Sequence, residues 1–505
     1  MVLQTFILLT QFKKHMQKII NFFKKNILLV LVLFLAVPTF LRMMSYGIYS
    51  MQDFHFFRLL EFDKCVKALE IPCRWAADAG LGYGEPLFNF YGQLPYAVGE
   101  IYHLLGGSIV DSVKFLFILS LVGSAVSMFF LAKKVWKNNY SALISSVIYL
   151  YAPYRAVDVW VRGALPEALA FVLFPLILLS VEKKSLVWFT VLLSALLLTH
   201  NLSLIMFLPI LIFWLIYRKF WKGFLGGVIS IFISAFYILP VIFESKYVGL
   251  GSTTAGYFDF RAHFVTLYQI FISRFWGYGG STWGPEDGLS VSIGQIQWVL
   301  PLIVSFFVIL KKKISGNIDF IILAVFGLLY IFLTHNKSTF IWTTIPAIPY
   351  IQFPWRFLGM ATFCLALASG AIVQFFEKQK LVVSLVIIAA AVALNFSFFR
   401  EDIWYSVNDS YFTSGPEWDR QRTASIGDYW PLFGHDIPAA TSDGKYINYF
   451  PGWVGAEPNE KGLIPAEGTK FTDTPVRSTG NIISLISIIG LGVFAFRRKK
   501  WKEKI

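Results

Sequence analysis

Residues 27–45, ILLVLVLFLAVPTFLRMMS, are followed a few residues later by SMQDFHFFRLLEF at residues 50–62. The first stretch is apolar over about the length that a bilayer requires, roughly 17 to 25 residues. The second stretch places an acid and an imidazole, Asp53 and His55, beside the end of that predicted span. Ionisable groups are costly at such a position unless they have a function. The junction therefore suggests a reaction at a membrane surface.

The composition agrees with a membrane protein. The chain has 505 residues, of which 56% are hydrophobic and 15% are charged, and its mean hydropathy is +0.62. These values are too apolar for a soluble domain. The net charge of +14 comes from short basic clusters between apolar runs, so we interpret it as a topology signal and not as a nucleic-acid-binding surface.

The hydropathy pattern predicts an all-α polytopic fold with about twelve transmembrane helices. With the N-terminus inside, every basic cluster falls on the cytoplasmic side, as the positive-inside rule expects. We therefore expect a multi-pass plasma membrane protein with both termini cytoplasmic. This register requires residues 87–105 to lie along the interface. The predicted spans are residues 27–45, 112–132, 140–151, 164–181, 185–199, 202–216, 223–243, 293–310, 318–334, 357–376, 381–399 and 481–496.

We divide the chain into three parts. Residues 1–399 form the predicted multi-spanning domain, which carries a first outer loop (residues 46–111) and a second outer loop (residues 244–292). Residues 400–480, the C-terminal segment, are polar, with Pro, Gly and Asp breaks between short β-like runs, and predict a small β-rich extracytoplasmic domain. Residues 481–505 are the last helix and a basic cytoplasmic tail.

The three cysteines are too few for a disulfide scaffold. Cys65 and Cys73 both lie in the first outer loop, where they either pair in an oxidising compartment or remain thiols. Cys364 is most simply a small core residue.

Besides the acid and histidine after the first span, the chain carries a series of motifs in a specific order. They are RWAADAGLGYGEPLFNFYGQLPY (74–96), VRGALPEALA (161–170), LLLTHN (196–201), WGYGGSTWGPEDG (276–288), QFPWRF (352–357), GDYWP (427–431), YFPGW (449–453) and TPVRSTGNIISLIS (474–487). Taken in this order, the motifs resemble the GT-C superfamily of multi-spanning glycosyltransferases. Within it, the chain resembles the bacterial membrane proteins described as 6-pyruvoyl-tetrahydropterin synthase-related, together with the YfhO-like proteins. Nothing in the chain supports pterin chemistry, which would need a soluble domain with metal-binding histidines.

The resemblance implies an inverting glycosyltransferase that takes a sugar from a polyprenyl phosphate or pyrophosphate donor. Transfer to a glycan, lipid or protein acceptor would occur on the outer face. Such transfer needs a base for the acceptor hydroxyl, and partial desolvation can raise the pKa of a carboxylate towards that task. Asp53 fits the role and matches the first-loop acid of the family. The alternative is that Asp53 caps the helix that begins near Phe54.

The sequence leaves open whether the protein binds a metal cofactor, Mg or Mn. His55 could hydrogen-bond Asp53, help to bind a divalent ion, or simply sit at the polar boundary. The D-x-H pair is a weak metal signal, because a usable site needs about three convergent ligands. A monophosphate leaving group could be neutralised by Arg or Lys alone.

Arginines are the candidate phosphate ligands, because a guanidinium matches phosphate oxygens bidentately. Arg162 lies at the outer mouth of a span, although a salt bridge to Glu167, itself a secondary site candidate, is an equal alternative. Arg356 in FPWRF could bind phosphate or could anchor a helix end at the interface. Arg74, from the first-loop motif, is a further predicted substrate-binding residue.

Three more residues complete the predicted site. His200 and Asn201 lie at an outer helix end and could bind the sugar or the donor phosphate, whereas a satisfied interfacial histidine is the simpler interpretation. Tyr91 could offer a flat apolar face to a sugar ring or an isoprenoid tail, or could serve only in packing.

The rival functional class is a transporter or flippase for a lipid-linked sugar or polysaccharide. Such a protein should carry ionisable residues deep within its spans and broken helices near the midplane. Here the spans are almost free of charge and the polar motifs gather at one face, which favours the enzyme. A non-catalytic protein that binds a sugar-lipid is a further alternative.

Overall fold

The computed structural model describes residues 26–50, 53–249, 254–284, 286–311, 317–423, 429–434 and 437–502. The side chains of residues 53 and 499–502 also lie outside the described part. The first half of the described chain contains α1 (Ile27–Phe40), α2 (Asp53–Lys67), α3 (Leu87–Phe90), α4 (Leu94–Leu104), α5 (Ile109–Trp136), α6 (Asn139–Leu150), α7 (Pro153–Ala156), α8 (Leu165–Glu182), α9 (Leu186–Thr199), α10 (Asn201–Tyr217), α11 (Lys222–Ile233) and α12 (Ala235–Glu244). The second half contains α13 (Leu267–Phe271), α14 (Gln295–Leu310), α15 (Ile318–Leu333), α16 (Thr339–Thr344), α17 (Phe357–Ser369), α18 (Lys380–Asn395), α19 (Asp409–Phe412), α20 (Gly415–Gln421) and α21 (Pro475–Lys502).

The predicted all-α polytopic fold is confirmed. Among the described residues, six helical segments are long and apolar enough to cross a membrane, and eight if each of two sharply bent pairs is one span. The predicted count of twelve is not confirmed, because three further apolar helices, α9, α10 and α14, have only 10–17 residues.

The membrane core is built around α5 and α17. Helix α5 begins where the Ser108 side chain accepts a hydrogen bond from the backbone N–H of Asp111, and Lys137, the residue after its last residue Trp136, adopts a left-handed conformation. These are the expected devices for starting and stopping a helix. Every residue of α17 is buried, and a helix that is apolar on all sides belongs in such an interior.

Two helix pairs are sharply bent. Helices α11 and α12 meet at Ser234 with a bend of 70°, and the segments Ile318–Leu333 and Asn336–Thr344 meet at 93°. The first bend turns α12 so that Tyr237 points to the cavity described below.

The C-terminal segment contains five of the six strands found in the described ranges. They are β2 (Trp404–Tyr405), β3 (Tyr446–Asn448), β4 (Trp453–Val454), β5 (Leu463–Pro465) and β6 (Lys470–Phe471), and β1 (Ile48–Tyr49) lies in the first outer loop. Three antiparallel pairs form, β1 with β2, β3 with β5 and β4 with β6. The strands are short, and α19 and α20 lie among them.

The C-terminal segment packs on the outer loops. The backbone N–H of Asn448 donates to the carbonyl of Tyr83 at 2.7 Å. Arg477, at the start of α21, contacts Glu244, at the end of α12, at 2.9 Å. The first outer loop is also closed on itself, because Cys65 and Cys73 form a disulfide. Cys364 is a buried free thiol, as expected for a core residue.

Candidate substrate-binding site

A cavity of about 670 Å³ lies where α2, the α7–α8 connection, the α9–α10 junction, α12 and the loop before α17 meet. We call it the arginine cavity, because four arginines line it. Its lining includes seven of the residues predicted from the sequence, namely His55, Tyr91, Arg162, Glu167, His200, Asn201 and Arg356.

An unusual turn presents Arg162 to the cavity. Residues Val157–Val161 form one π-helical turn, in which the N–H of Arg162 donates to the carbonyl of Val157. Gly163 follows in a left-handed conformation with φ +56°, which favours glycine. Single π turns inside helical segments are frequently found at functional sites. Here the turn brings Arg162 to the start of α8.

Arg162 is paired and still faces the cavity. Its Nη1 donates to Oδ1 of Asp158 at 2.8 Å, to Oε2 of Glu167 at 2.9 Å and to the hydroxyl of Tyr154 at 3.3 Å. The guanidinium also lies over the ring of Trp355 at 4.7 Å. All three bonds use Nη1, and within the described residues Nε and Nη2 have no acceptor. The salt bridge therefore exists and leaves one edge of Arg162 for a ligand.

Glu167 lies between two arginines. Oε1 accepts from the Tyr154 hydroxyl at 2.6 Å, and Oε2 lies 2.9 Å from Nη1 of Arg162 and 3.8 Å from Nε of Arg356. Both oxygens are engaged, which suits a residue that positions guanidiniums. Nη1 of Arg356 donates to the carbonyl of Ile351 at 2.8 Å and to Oε1 of Gln352 at 3.1 Å.

Arg162, Asp158 and Arg155 form a row of neighbouring charges that alternate in sign. Arg155 on α7 is fully buried and lies 3.8 Å from Asp158, which is also fully buried. Asp158 in turn binds Arg162. Buried charges need partners of opposite sign, and this row supplies them, so the position of Arg162 is tied to the protein interior.

His55 has both ring nitrogens engaged. Nε2 donates to the carbonyl of Gly163 at 2.6 Å, and Nδ1 accepts from the hydroxyl of Tyr96 at 2.9 Å. Burial, together with the charge of Arg58, lowers the pKa of His55 to about 3. The imidazole is therefore neutral and connects α2 to the Arg162 turn, so it has no free nitrogen for a metal.

Asp53 is the first residue of α2, and its side chain lies outside the described residues. Its neighbours Phe54 and His55 both line the arginine cavity. Its role as the base therefore remains a prediction. Among the described residues, no group of three His, Cys, Asp or Glu side chains could hold a metal ion.

His200 and Asn201 lie where α9 meets α10. Nδ1 of His200 is 2.7 Å from the hydroxyl of Ser203, and Nδ2 of Asn201 donates to the hydroxyl of Tyr237 at 3.0 Å. Burial, helped by Arg356 and Arg162 and opposed by Glu167, lowers the pKa of His200 to about 4. A neutral imidazole and an amide thus face the cavity.

Arg74 lies elsewhere. It donates to the carbonyl of Phe236 at 2.7 Å, to Asn481 at 2.9 Å and to Asn89 at 3.3 Å, and it is not part of the cavity lining. These bonds join the first outer loop to α12 and to α21. Arg74 thus connects the first outer loop to these two helices.

The structure adds cavity residues that the sequence analysis did not select. Arg58 donates to the hydroxyl of Tyr91 at 3.0 Å, and it lies one helical turn after His55, so the helical period was a usable signal. Arg420 and Tyr429 come from the C-terminal segment. No local pattern connects that segment to α2.

The cavity is positively charged and partly aromatic. Glu167 is the one carboxylate among its described lining residues, against four arginines, Arg58, Arg162, Arg356 and Arg420. Guanidiniums in such a group favour phosphate. Aromatic side chains on the walls suit a sugar ring or an apolar chain, and they are Phe54, Phe90, Tyr91, Tyr237, Tyr350 and Tyr429. The arrangement fits a ligand that combines an anion with a flat or apolar group.

Comparison with known protein families finds one family whose model matches most of this chain. The model of the family described as 6-pyruvoyl-tetrahydropterin synthase related domain, a membrane protein, matches residues 88–403, which is more than half of the chain. The matched region includes the Arg162 turn, the α9–α10 junction and Arg356. No curated protein matches the chain.

Among solved structures, the chain is similar to arabinofuranosyltransferase AftD from Mycobacteria, which was determined by cryo-electron microscopy. The TM-score is 0.41 and the sequence identity is 15%. The alignment covers 76% of this chain and 29% of that chain, so this chain spans less than a third of that protein.

Proposed function

The chain belongs to the family of membrane proteins described as 6-pyruvoyl-tetrahydropterin synthase related, and from this premise we propose that it is a GT-C-type glycosyltransferase. It moves a sugar from a polyprenyl-phosphate donor to a glycan, lipid or protein acceptor on the outer face of the membrane. The observation that carries the proposal is the arginine cavity, whose described lining holds four guanidiniums, one of them paired with Glu417 outside the lining, and a single carboxylate.

The arginines bind the donor phosphate in this proposal. Arg162 offers Nε and Nη2, because its Nη1 is held by Asp158 and Glu167. Nε of Arg356 lies 3.8 Å from the same oxygen of Glu167, Oε2. Fixed guanidiniums also stabilise the negative charge that develops on a leaving phosphate. A metal ion would add to this neutralisation if Asp53 took part in binding it.

The transfer is a displacement with inversion. The acceptor oxygen forms a bond to the anomeric carbon while the bond from that carbon to the phosphate oxygen breaks, and the polyprenyl phosphate leaves with the electron pair. The acceptor hydroxyl loses its proton to Asp53, which acts as the general base. Support for this role comes from its place at the start of α2, next to two residues that line the cavity. His200 and Asn201 hydrogen-bond the sugar hydroxyls.

The disulfide supports the outer location of the site. Cys65 and Cys73 are paired, and disulfides persist in oxidising compartments outside the cytoplasm. Cys65 lies on α2, the same helix that carries His55 and Arg58 at its other end. The cavity therefore belongs to the extracytoplasmic half of the protein in this proposal.

The test uses proteoliposomes with radiolabelled sugars on polyprenyl-phosphate donors and a native acceptor extract. Donor binding and sugar transfer are measured separately, with and without EDTA. We expect Arg162→Ala to weaken donor binding about tenfold or more. We expect Asp53→Asn to keep donor binding and to lose roughly 10²- to 10⁴-fold in transfer rate.

Two exposed residues supply matched controls, Arg261→Ala and Asp402→Asn. Both should bind and turn over donor like the wild type. If the wild type binds donors across the panel without transferring sugar, the protein is a carrier or a sensor and not a transferase.

A further inference from the structure

A second cavity, of about 540 Å³, lies between the first outer loop and the C-terminal segment. Its size is within the usual range of ligand sites, roughly 300 to 1,000 Å³. The residues that define it here are Tyr83, Asp443, Tyr446, Asn459, Glu460 and Lys461.

Backbone hydrogen bonds hold the walls of this second cavity in place. The strand that contains Tyr446 pairs with β5, and the Tyr83 carbonyl accepts from the N–H of Asn448 at 2.7 Å. Oδ1 of Asn459 accepts from the N–H groups of Lys461 and Leu463, at 2.9 and 3.0 Å. The site is therefore largely formed before any ligand arrives.

The side chains around the second cavity are suited to hydroxyl groups. In the described part of the chain, the hydroxyls of Tyr83 and Tyr446, the carboxylate of Glu460 and the ammonium of Lys461 have no hydrogen bond to protein. Tyr446 is 45% exposed, so its ring is open to a ligand. Donors and acceptors beside two aromatic rings match the alternating polar edges and apolar faces of a sugar.

The charges distinguish this cavity from the arginine cavity. Asp443 and Glu460 are acidic and Lys461 is basic, so both signs are present and no arginine takes part. Asp443 is paired with Lys445 at 3.0 Å, so the acidic and basic groups here balance, whereas the arginine cavity opposes four guanidiniums to one carboxylate. The second cavity therefore fits a neutral, hydroxyl-rich ligand.

Two adjacent residues connect the two cavities. The ring centroid of Tyr83 lies 6.3 Å from that of Trp430. The preceding residue, Tyr429, lines the arginine cavity and stacks on Phe90 with an interplanar angle of 6°. The two cavities are thus linked through Tyr83, Trp430 and Tyr429.

We propose that the second cavity binds the neutral glycan chain of the acceptor. This assignment rests on the proposed transferase function and adds the class of acceptor, an oligosaccharide longer than a single sugar. The arginine cavity holds the donor, and the second cavity holds acceptor sugars distant from the reacting hydroxyl.

The test measures binding of fluorescently labelled neutral hexasaccharides of glucose, mannose, galactose and N-acetylglucosamine to the full-length protein in nanodiscs. We expect at least one probe to bind the wild type. Tyr446→Ala and Glu460→Gln should each weaken the binding of that probe about tenfold. Tyr411→Ala is the matched control, because Tyr411 is 43% exposed and lies outside both cavities. It should leave the Kd unchanged.

Failure to bind any probe, or equal binding by Tyr446→Ala, Glu460→Gln and the wild type, overturns the proposal. Binding of polyprenyl phosphate should stay unchanged in both variants, which separates loss of the glycan site from unfolding. A wild type that binds glycan but releases no sugar from any donor would sustain this site and overturn the proposed transferase.

Discussion

Nη1 of Arg162 lies 2.9 Å from Oε2 of Glu167, and the two residues belong to different turns that are joined through Gly163. The pair is almost fully enclosed, since the side chains of Arg162 and Glu167 are 15% and 3% exposed. Removing one member of a buried pair leaves the other charge without compensation. The same contact thus supports the fold and orients a candidate phosphate ligand.

We expect Glu167→Gln to lower the free energy of unfolding by about 3 kcal/mol, because Arg162 and Arg356 lose their shared anion. Thermal and denaturant unfolding of the detergent-solubilised protein measure this. Glu467→Gln, at an exposed position, is the control and should change stability by less than about 0.5 kcal/mol. Equal stability of the two variants would show that the pair contributes nothing.

His55 should make stability depend on pH. The pKa of His55 is lowered from 6.5 to about 3 in the folded protein. The imidazole therefore becomes protonated below about pH 6.5 in the unfolded chain, but only below about pH 3 in the folded protein. The unfolded state holds more protons in this window, and the free energy of unfolding therefore falls as the pH is lowered. Between pH 7 and pH 5 we expect His55 to account for a loss of about 2 kcal/mol.

Thermal unfolding at both pH values tests this for His55→Gln, whose amide can still donate to the Gly163 carbonyl. The variant should lose less stability than the wild type on acidification. His335→Gln, at a partly exposed histidine, is the control. An unchanged pH profile in His55→Gln would contradict the buried neutral imidazole.

Gly92 allows the first outer loop to approach the α9–α10 junction. A Cβ atom at this position would collide with the carbonyl oxygen of Thr199. We expect Gly92→Ala to cost about 2 kcal/mol and to weaken donor binding, because His200 and Asn201 directly follow Thr199. Gly490→Ala has no atom within 4 Å of the new methyl group and should be neutral. Wild-type donor affinity in Gly92→Ala would refute the close approach.

The disulfide should stabilise the first outer loop. Cys65 and Cys73 are 8 positions apart, and closing a loop of that length contributes about 2 to 3 kcal/mol in the chain-entropy view. We expect the free energy of unfolding of the double variant Cys65→Ser, Cys73→Ser to be lower by that amount. The double variant should therefore unfold at a lower temperature than the wild type. Mass spectrometry after alkylation in denaturant should find one free thiol in the unreduced wild type, that of Cys364.

Labelling of single exposed cysteines, introduced into a Cys364→Ser variant, tests on which side of the membrane each of these residues lies. A membrane-impermeant maleimide should label Glu70→Cys on intact cells, because Glu70 follows α2 in the first outer loop and is exposed. Lys183→Cys, exposed after α8, should react only after permeabilisation. The opposite pattern would invert the topology.

Part of the site could be predicted from the chain. Arg162, Glu167, His200, Asn201 and Arg356 stand at the ends of apolar runs, and polar residues at such ends are few enough to be recognised. Their convergence on one cavity does not follow from their positions in the sequence. The sequence left open whether His55 bonds Asp53, binds a metal ion or only lies at the polar boundary, and it did not indicate that Gly163 and Tyr96 engage both imidazole nitrogens.

The sequence by itself determined the class of the protein, an all-α polytopic membrane protein, because hydropathy over about 20 residues decides where a helix can cross a bilayer. It also determined the order of motifs that relates the chain to its family. Tertiary structure alone decided which residues meet. Arg420 reaches a cavity built around α2, and Arg74 is drawn to α21 instead, because packing brings together segments hundreds of residues apart and no local pattern records that contact.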